Sequence, residues 1–257
     1  MTTKTLQVPA TIDRIQDRPA GSAFVRTVLS VMDHIEYRFC DSGEDLEAIY
    51  RLRYDSYLQA GMLKPNALRM VHDEFDDLPN SYRYGVFFEG QLVSTIRLHY
   101  VSSRYPVSPS VRVFNDVLAP RLAAGETFID PSRFAADSEW SATLRVLPYV
   151  TLRLAVVACA YFKPTYCLTA VKEEHSAFYN RIFLSEEAAP LRHYPGLTVP
   201  VSLFQSECAV NQSKTEERFP FFKSSSLEQR MLFQRPKLGE LAPLTILPSA
   251  RYLADAA

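Results

Sequence analysis

The chain has 257 residues, 47% hydrophobic and 22% charged, an ordinary globular composition that suits one large domain or two small ones with a sizeable core. With 28 Lys and Arg against 29 Asp and Glu, the formal net charge of −1 supplies no overall field to hold nucleic acid. Cys40, Cys159, Cys167 and Cys208 show neither C-x-x-C spacing nor zinc-type pairing with histidine, so they read as free thiols in a reducing compartment, and no metal site is expected.

Residues 1–20 are polar, contain proline and lack the apolar run of a secretory signal, so they read as loosely ordered. With a short amphipathic helix predicted over 22–33, they form an N-terminal extension, 1–33. Residues 34–40 alternate as a strand does, and Ser42 with Asp45 reads as a capping box opening a helix that runs to Gly61, a natural C-cap. Segments 82–88 and 91–101, rich in aromatic and β-branched residues and joined by Glu89-Gly90, read as a hairpin. Residues 102–110 read as loop, 114–122 as a short helix closed by Gly125, and 126–134 as a buried strand. After a connection without glycine, the apolar stretch near 146–162 reads as a core helix, too short and too interrupted by Arg153 to cross a membrane. A strand at 166–171, a helix at 175–184, a hairpin-like region over 191–205 and a partly helical 206–235 follow.

Strands and helices therefore intermingle around one sheet, in the α/β (α+β) class. The order predicts a layered mixed sheet whose parallel strands, 126–134 and 166–171, splay to admit a ligand. Residues 34–205 form the domain proper, with 206–257 as a C-terminal extension packed on it. A cytoplasmic protein without a transmembrane segment or a nucleic-acid partner is expected.

Charges occur where apolar residues belong. Leu46, Ile49, Tyr50, Arg53, Tyr54 and Tyr57 follow helical spacing, which puts Arg53 on the buried face. A guanidinium cannot shed its proton, so burying it requires carboxylates around it. Asp73 and Asp76 stand three apart, Arg97 lies within an apolar strand, and Asp130 and Arg133 lie at the end of another. Taken singly, each pair reads equally well as a surface ion pair. Three arginines and three aspartates drawn from apolar elements predict one network at a functional cleft, because buried ion pairs are a poor source of stability.

Arg53 with Tyr57, the Asp73-x-x-Asp76 pair, Arg97 ending Ser-Thr-Ile-Arg, and Asp130-Pro-Ser-Arg133-Phe134 together resemble the LuxI-type autoinducer synthases and the related FeeM-type N-acyl amino acid synthases, over roughly 45–205. The LuxI pattern usually has Glu at Asp130, Phe at Tyr57 and a tryptophan before the paired acids, whereas the single tryptophan here is Trp140, so the FeeM type is the nearer resemblance. It implies the GNAT acyltransferase fold, a three-layer α/β/α sandwich splayed between its parallel fourth and fifth strands. It also implies transfer of a long fatty acyl group from acyl-4′-phosphopantetheine on acyl carrier protein to the amine of a tyrosine-like amino acid, without a further cofactor. The alternatives are an acyl-homoserine lactone synthase using S-adenosylmethionine and a catalytically silent domain that binds acyl carrier protein.

GNAT enzymes that use coenzyme A usually place a glycine-rich loop after the fourth strand; residues 131–149 contain no glycine, which favours the carrier protein. The helix N-terminus near Arg145 is the expected seat of the donor phosphate, and Arg104, Arg112, Arg121, Arg145 and Lys163 are either a docking surface for an acidic carrier or ordinary solvated charges. Aminolysis of a thioester needs a free amine and a stabilised thiolate. Asp130 is the candidate base, Asp73 or Asp76 the grip on the ammonium, and Arg97 or Arg133 the fork for the acceptor carboxylate or an orienter of the acids. Tyr179 is either the acid for the sulfur or a core aromatic, and Phe134, Tyr149, Leu152, Val156 and Phe178 are either an acyl tunnel or ordinary core. Cys159 and Cys167 have no adjacent base, so no covalent intermediate is expected.

Overall fold

Seven strands, Ile35–Phe39 (β1), Ser81–Phe88 (β2), Gln91–Val101 (β3), Phe128–Ala136 (β4), Tyr166–Val171 (β5), Glu186–His193 (β6) and Pro200–Glu207 (β7), form one sheet in the order β1-β2-β3-β4-β5-β7-β6. The structure is a computed structural model that describes residues 21–194, 197–237 and 239–254; the loosely ordered reading of 1–20 lies outside the described residues. β2 and β3 are buried almost continuously along their length, because helices cover both faces of the sheet. The hairpin turn is as expected: Glu89 and Gly90 both have positive φ, 49° and 80°, the backbone of a two-residue turn that matches strand twist.

One face carries Ala23–Met32 (α1), Leu147–Phe162 (α6) and Ser226–Phe233 (α9), whose apolar side chains share a core with β1, β2 and β3. Gly43–Gln59 (α2), Pro109–Val113 (α3) and Asn115–Ala123 (α4) cover the other, with Val111, Phe114 and Leu118 packed on Phe128 and Leu168. Ser138–Thr143 (α5), Glu173–Phe183 (α7), Cys208–Arg218 (α8), a 3-10 turn at Pro220–Phe222 and Ala250–Ala254 (α10) complete the described chain. The arrangement is the expected layered α/β fold, with mixed strands and one parallel pair.

Described segments before β1 and after β7 are built into this core. Val28 and Leu29 of α1, Phe221 and Phe222, and Leu232 and Phe233 of α9 join the same apolar cluster as the strands. Arg153, within the apolar α6, is fully buried; it is paired with Glu228 and donates to the carbonyls of Phe221 and Lys223 at 2.7 and 2.6 Å. Ile246 exchanges two 2.9 Å backbone hydrogen bonds with Tyr37 and so covers the outer edge of β1.

Some local expectations need correction. Ser42 occupies the N-cap of α2, but its hydroxyl donates to Asp41 at 3.4 Å and makes no capping bond, so the capping box is not formed. α3 and α5 fall in stretches expected to be loop or connection; each is nucleated by a side chain capping its first turn, Ser108 on the amide of Val111 and Asp137 on those of Glu139 and Trp140. The last hairpin starts earlier than expected, at Glu186.

Candidate active site

β4 and β5 pair in parallel at only two positions, Phe128 with Tyr166 and Ile129 with Cys167. Beyond them β4 stays with β3 and β5 stays with β7, so the sheet opens into a V. Just past the divergence β4 carries a β-bulge: the register steps from Ser132 opposite Arg97 to Ala135 opposite Thr95, leaving Arg133 and Phe134 across from Ile96 alone. Arg133 takes the strained left-handed backbone, φ 54°, that an extra residue in a strand imposes. The bulge aims Arg133 and Phe134 into the V and takes their backbone groups out of the ladder.

Five of the six expected charged residues meet beside this bulge. Arg53 Nη1 donates to Asp76 Oδ1 at 2.8 Å, and Arg97 bridges both acids, 2.9 Å to Asp76 and 2.5 Å to Asp73. Arg133 closes the series on Asp73 through Nε at 3.1 Å and Nη2 at 2.5 Å. The acids are presented by a tight turn in which Asp76 Oδ2 accepts from the Asp73 amide at 3.0 Å and Asp73 Oδ1 from the Phe75 amide at 3.0 Å. Arg53, Arg97 and Asp76 are fully buried, whereas 23% of the Asp73 side chain remains exposed. Burial alone would raise both carboxyls, but the guanidinium groups outweigh it and hold them well below the usual carboxylate range.

Asp130 does not join. Its oxygens accept from the amide and the hydroxyl of Ser110, at 2.9 and 2.6 Å, so it is buried beneath α3 and lines neither cavity. Burial pushes its carboxyl above the ordinary range, and Ser108 and Ser110 only partly offset that. The role of general base foreseen for it is therefore withdrawn: Asp130 anchors α3 to β4. Next to it, His99 Nε2 donates to the Phe75 carbonyl at 2.9 Å, and burial depresses its pKa to about 3, so it stays neutral.

The open V is filled by an apolar cavity of about 570 Å³, within the range of small-molecule sites. Phe134, Leu152, Val156 and Phe178, which the sequence left as either tunnel or core, line it; Tyr149 does not, because its ring packs against Phe24, Phe178 and Phe221. Tyr179 also faces the cavity, and burial raises its pKa, so it keeps a proton to donate. Cys159, Cys167 and Cys208 line the same space; contact with the other two thiols, together with burial, pushes Cys159 up, which disfavours Cys159 as a thiolate nucleophile.

A second cavity of about 430 Å³ adjoins the first, and both are lined by Tyr57, Arg133 and Tyr194. Its charged lining comprises Lys64, Arg112 and Arg133 against Asp73 and Glu74, an excess of one positive charge. Arg133 Nη1 has no hydrogen-bond partner among the described residues, and Tyr57 donates to the Phe134 carbonyl at 3.3 Å. Tyr194 and Lys64 were not foreseen: they stand in loops far in sequence from the charged segments, and only the fold brings them here.

The expected phosphate seat is not available. At the start of α6 the amide of Leu147 donates to Leu144 and that of Tyr149 to Val146, and Pro148 has none, so the first turn has no free N–H to offer. Arg145, exposed just before this turn, is the cation at that end. The other basic residues do not form one surface: Arg112 is paired with Glu74, Arg121 is held by Glu126 and Gln205, and Lys163 caps the far end of α6, about 24 Å of helical rise from Leu147 at its start. No helix among the described residues is long and apolar enough to cross a membrane, and no cluster of metal-ligating side chains occurs among them.

Residues 48–207 match the family model of the N-acyl amino acid synthase FeeM. Among solved structures the chain is similar to FeeM, an N-acyl amino acid synthase from uncultured soil microbes, at 16% identity over 71% of this chain and 96% of that one, with a TM-score of 0.58. It is also similar to the AHL synthase LasI, at 14% identity over 70% and 92% with a TM-score of 0.49, and to an acyl-CoA N-acyltransferase from Pseudomonas aeruginosa, at 15% over 67% and 97% with a TM-score of 0.46. No curated protein matches it in sequence.

Proposed function

The chain belongs to the FeeM family of N-acyl amino acid synthases, and we propose that this N-acyltransferase moves a long fatty acyl group from the phosphopantetheine thioester of acyl carrier protein to the amine of a tyrosine-like amino acid. The observation that carries this reading is the meeting of two unlike cavities at Arg133: an apolar one within the splayed strands and a charged one with an excess positive charge. The first suits an acyl chain. The second suits an acceptor bearing a carboxylate, which Arg133 Nη1 meets while the ionised Asp73 holds the ammonium. A sulfonium acceptor fits this charge balance less well.

The donor's carbonyl carbon lies at the bulge, where a backbone N–H of the Arg133–Phe134 segment polarises the carbonyl oxygen. Once neutral, the acceptor nitrogen attacks, the C–S bond breaks as Tyr179 gives its proton to the departing thiolate, and the second proton that the nitrogen sheds on becoming an amide restores Tyr179. Asp73 is too weak a base to free the amine, because two guanidinium groups stabilise its anion, so the amine's proton leaves to water in the second cavity. Helix α5 stands where a glycine-rich loop would wrap a pyrophosphate, and Arg145 remains to meet a single phosphodiester, which supports the carrier protein as donor.

The test is reconstitution of purified protein with acyl carrier protein or coenzyme A thioesters and a panel of amino acids, with products read by mass spectrometry. An N-acyl amino acid formed faster from the carrier protein than from coenzyme A supports the proposal. A requirement for S-adenosylmethionine with release of methylthioadenosine, or no acyl transfer to any amine, overturns it.

A further inference from the structure

We propose that α8, which begins where the family match ends, walls the apolar cavity from its closed end and so sets the length of the acyl chain; this rests on reading that cavity as the acyl site. Cys208, Asn211, Gln212 and Thr215 line the cavity at i, i+3, i+4 and i+7, one face of the helix. Asn211 fixes that face by donating to the carbonyl of Leu184 at 3.4 Å and the hydroxyl of Ser206 at 3.3 Å, which ties α8 to the end of α7 and to β7.

This face starts at the closed end of the V and runs along the cavity from there. Cys208 stands beside Cys159, in the last turn of α6, and Cys159 in turn meets Cys167, whose strand position is still paired with Ile129 of β4. The bulge and Pro148 mark the opposite, open end. Eleven residues of α6 separate Pro148 from Cys159, about 16 Å of helix, which is the reach of a long alkyl chain and not of an acetyl group. A chain whose thioester sits at the bulge therefore points its methyl end at the thiols, where α8 begins, and passes along the face that carries Gln212 and Thr215. Cysteine is small and packs as an apolar residue, so the closed end tolerates alkyl contact and its depth changes with a single substitution.

The experiment measures transfer from carrier-protein thioesters of graded acyl length by Thr215→Leu, Gln212→Leu and Cys208→Ala, with thermal melting of each variant to confirm folding. Narrowing the cavity at Thr215 or Gln212 should lower kcat/KM for the longest accepted acyl groups by about tenfold relative to shorter ones, while Cys208→Ala should move the optimum to longer chains. Two independent filling positions guard against one variant failing to fold. A length profile unchanged in all the folded variants overturns the α8 proposal and leaves the acyl-transfer reading standing. If the wild-type protein transfers no acyl group, that reading falls, and displacement of a fluorescent fatty acid by fatty acids of graded length decides the α8 proposal by the same shifts in preference.

Discussion

Replacing Asp76 by asparagine removes the one carboxylate that pairs with Arg53 and half of the negative charge facing Arg97, with both arginines at zero exposure. Arg53 Nε and Nη2 already lack protein partners, so no other group takes over. Breaking a buried pair from one side costs about 3–5 kcal/mol, because the remaining charge is desolvated without compensation. That is a large part of the roughly 5–15 kcal/mol that holds a domain folded. Urea denaturation followed by circular dichroism should show this loss for Asp76→Asn, and adding Arg53→Met should recover part of it by removing the stranded charge. The control is Glu47→Gln, which breaks a half-exposed i, i+4 pair with Arg51 and should cost only about 0.3–0.5 kcal/mol. An Asp76→Asn loss below about 1 kcal/mol, or a double variant no more stable than the single, would refute the claim that the network is a coupled, buried set.

Acid stability follows the same network. The Asp73 and Asp76 carboxyls have depressed folded pKa values, so their contribution is fully present above the unfolded value of about 3.9 and disappears as pH falls through the lower folded values. Stability measured between about pH 6 and 2 should therefore drop steeply below pH 4 in the wild type and less steeply in Asp73→Asn. Because Asp130 lies outside the cavities, Asp130→Asn should keep acyl transfer within about tenfold of wild type in the mass-spectrometric assay, whereas Arg133→Met should raise the KM for the amino acid far more than that for the thioester. With no carboxylate base in place, kcat/KM should keep rising above about pH 8 as the acceptor amine itself loses its proton; a plateau set by a group near pH 5 would contradict that route. Glu228→Gln, which strands the buried Arg153, should cost about 3–5 kcal/mol and expose residues beyond 206 to limited proteolysis, as expected if the C-terminal segment belongs to the same domain.

The buried arginines were legible in the sequence because helical and strand periodicity put Arg53 and Arg97 where only apolar side chains belong. The parallel pair and its splay followed from element order for the same reason. Asp130 was misplaced because an aspartate at a strand end reads the same whether it faces a cavity or a helix; the side it takes depends on strand register, and the bulge at Arg133 shifts that register within three residues. The phosphate seat failed at the level of single amides, where Pro148 and a tight first turn use up donors that a helix start usually leaves free. Tyr194 and α8 carry no local signal for the site. Their place depends on the β6–β7 hairpin and on what packs between α6 and α7, contacts spanning tens of residues.

The most direct measurement is the structure of the protein bound to an N-acyl tyrosine. The alkyl chain is expected to lie between β4 and β5 with its methyl end toward Cys159 and Cys208, and the carboxylate to sit within about 3 Å of Arg133. An alkyl chain outside the splayed strands, or a carboxylate remote from Arg133, would contradict the assignment of the two cavities.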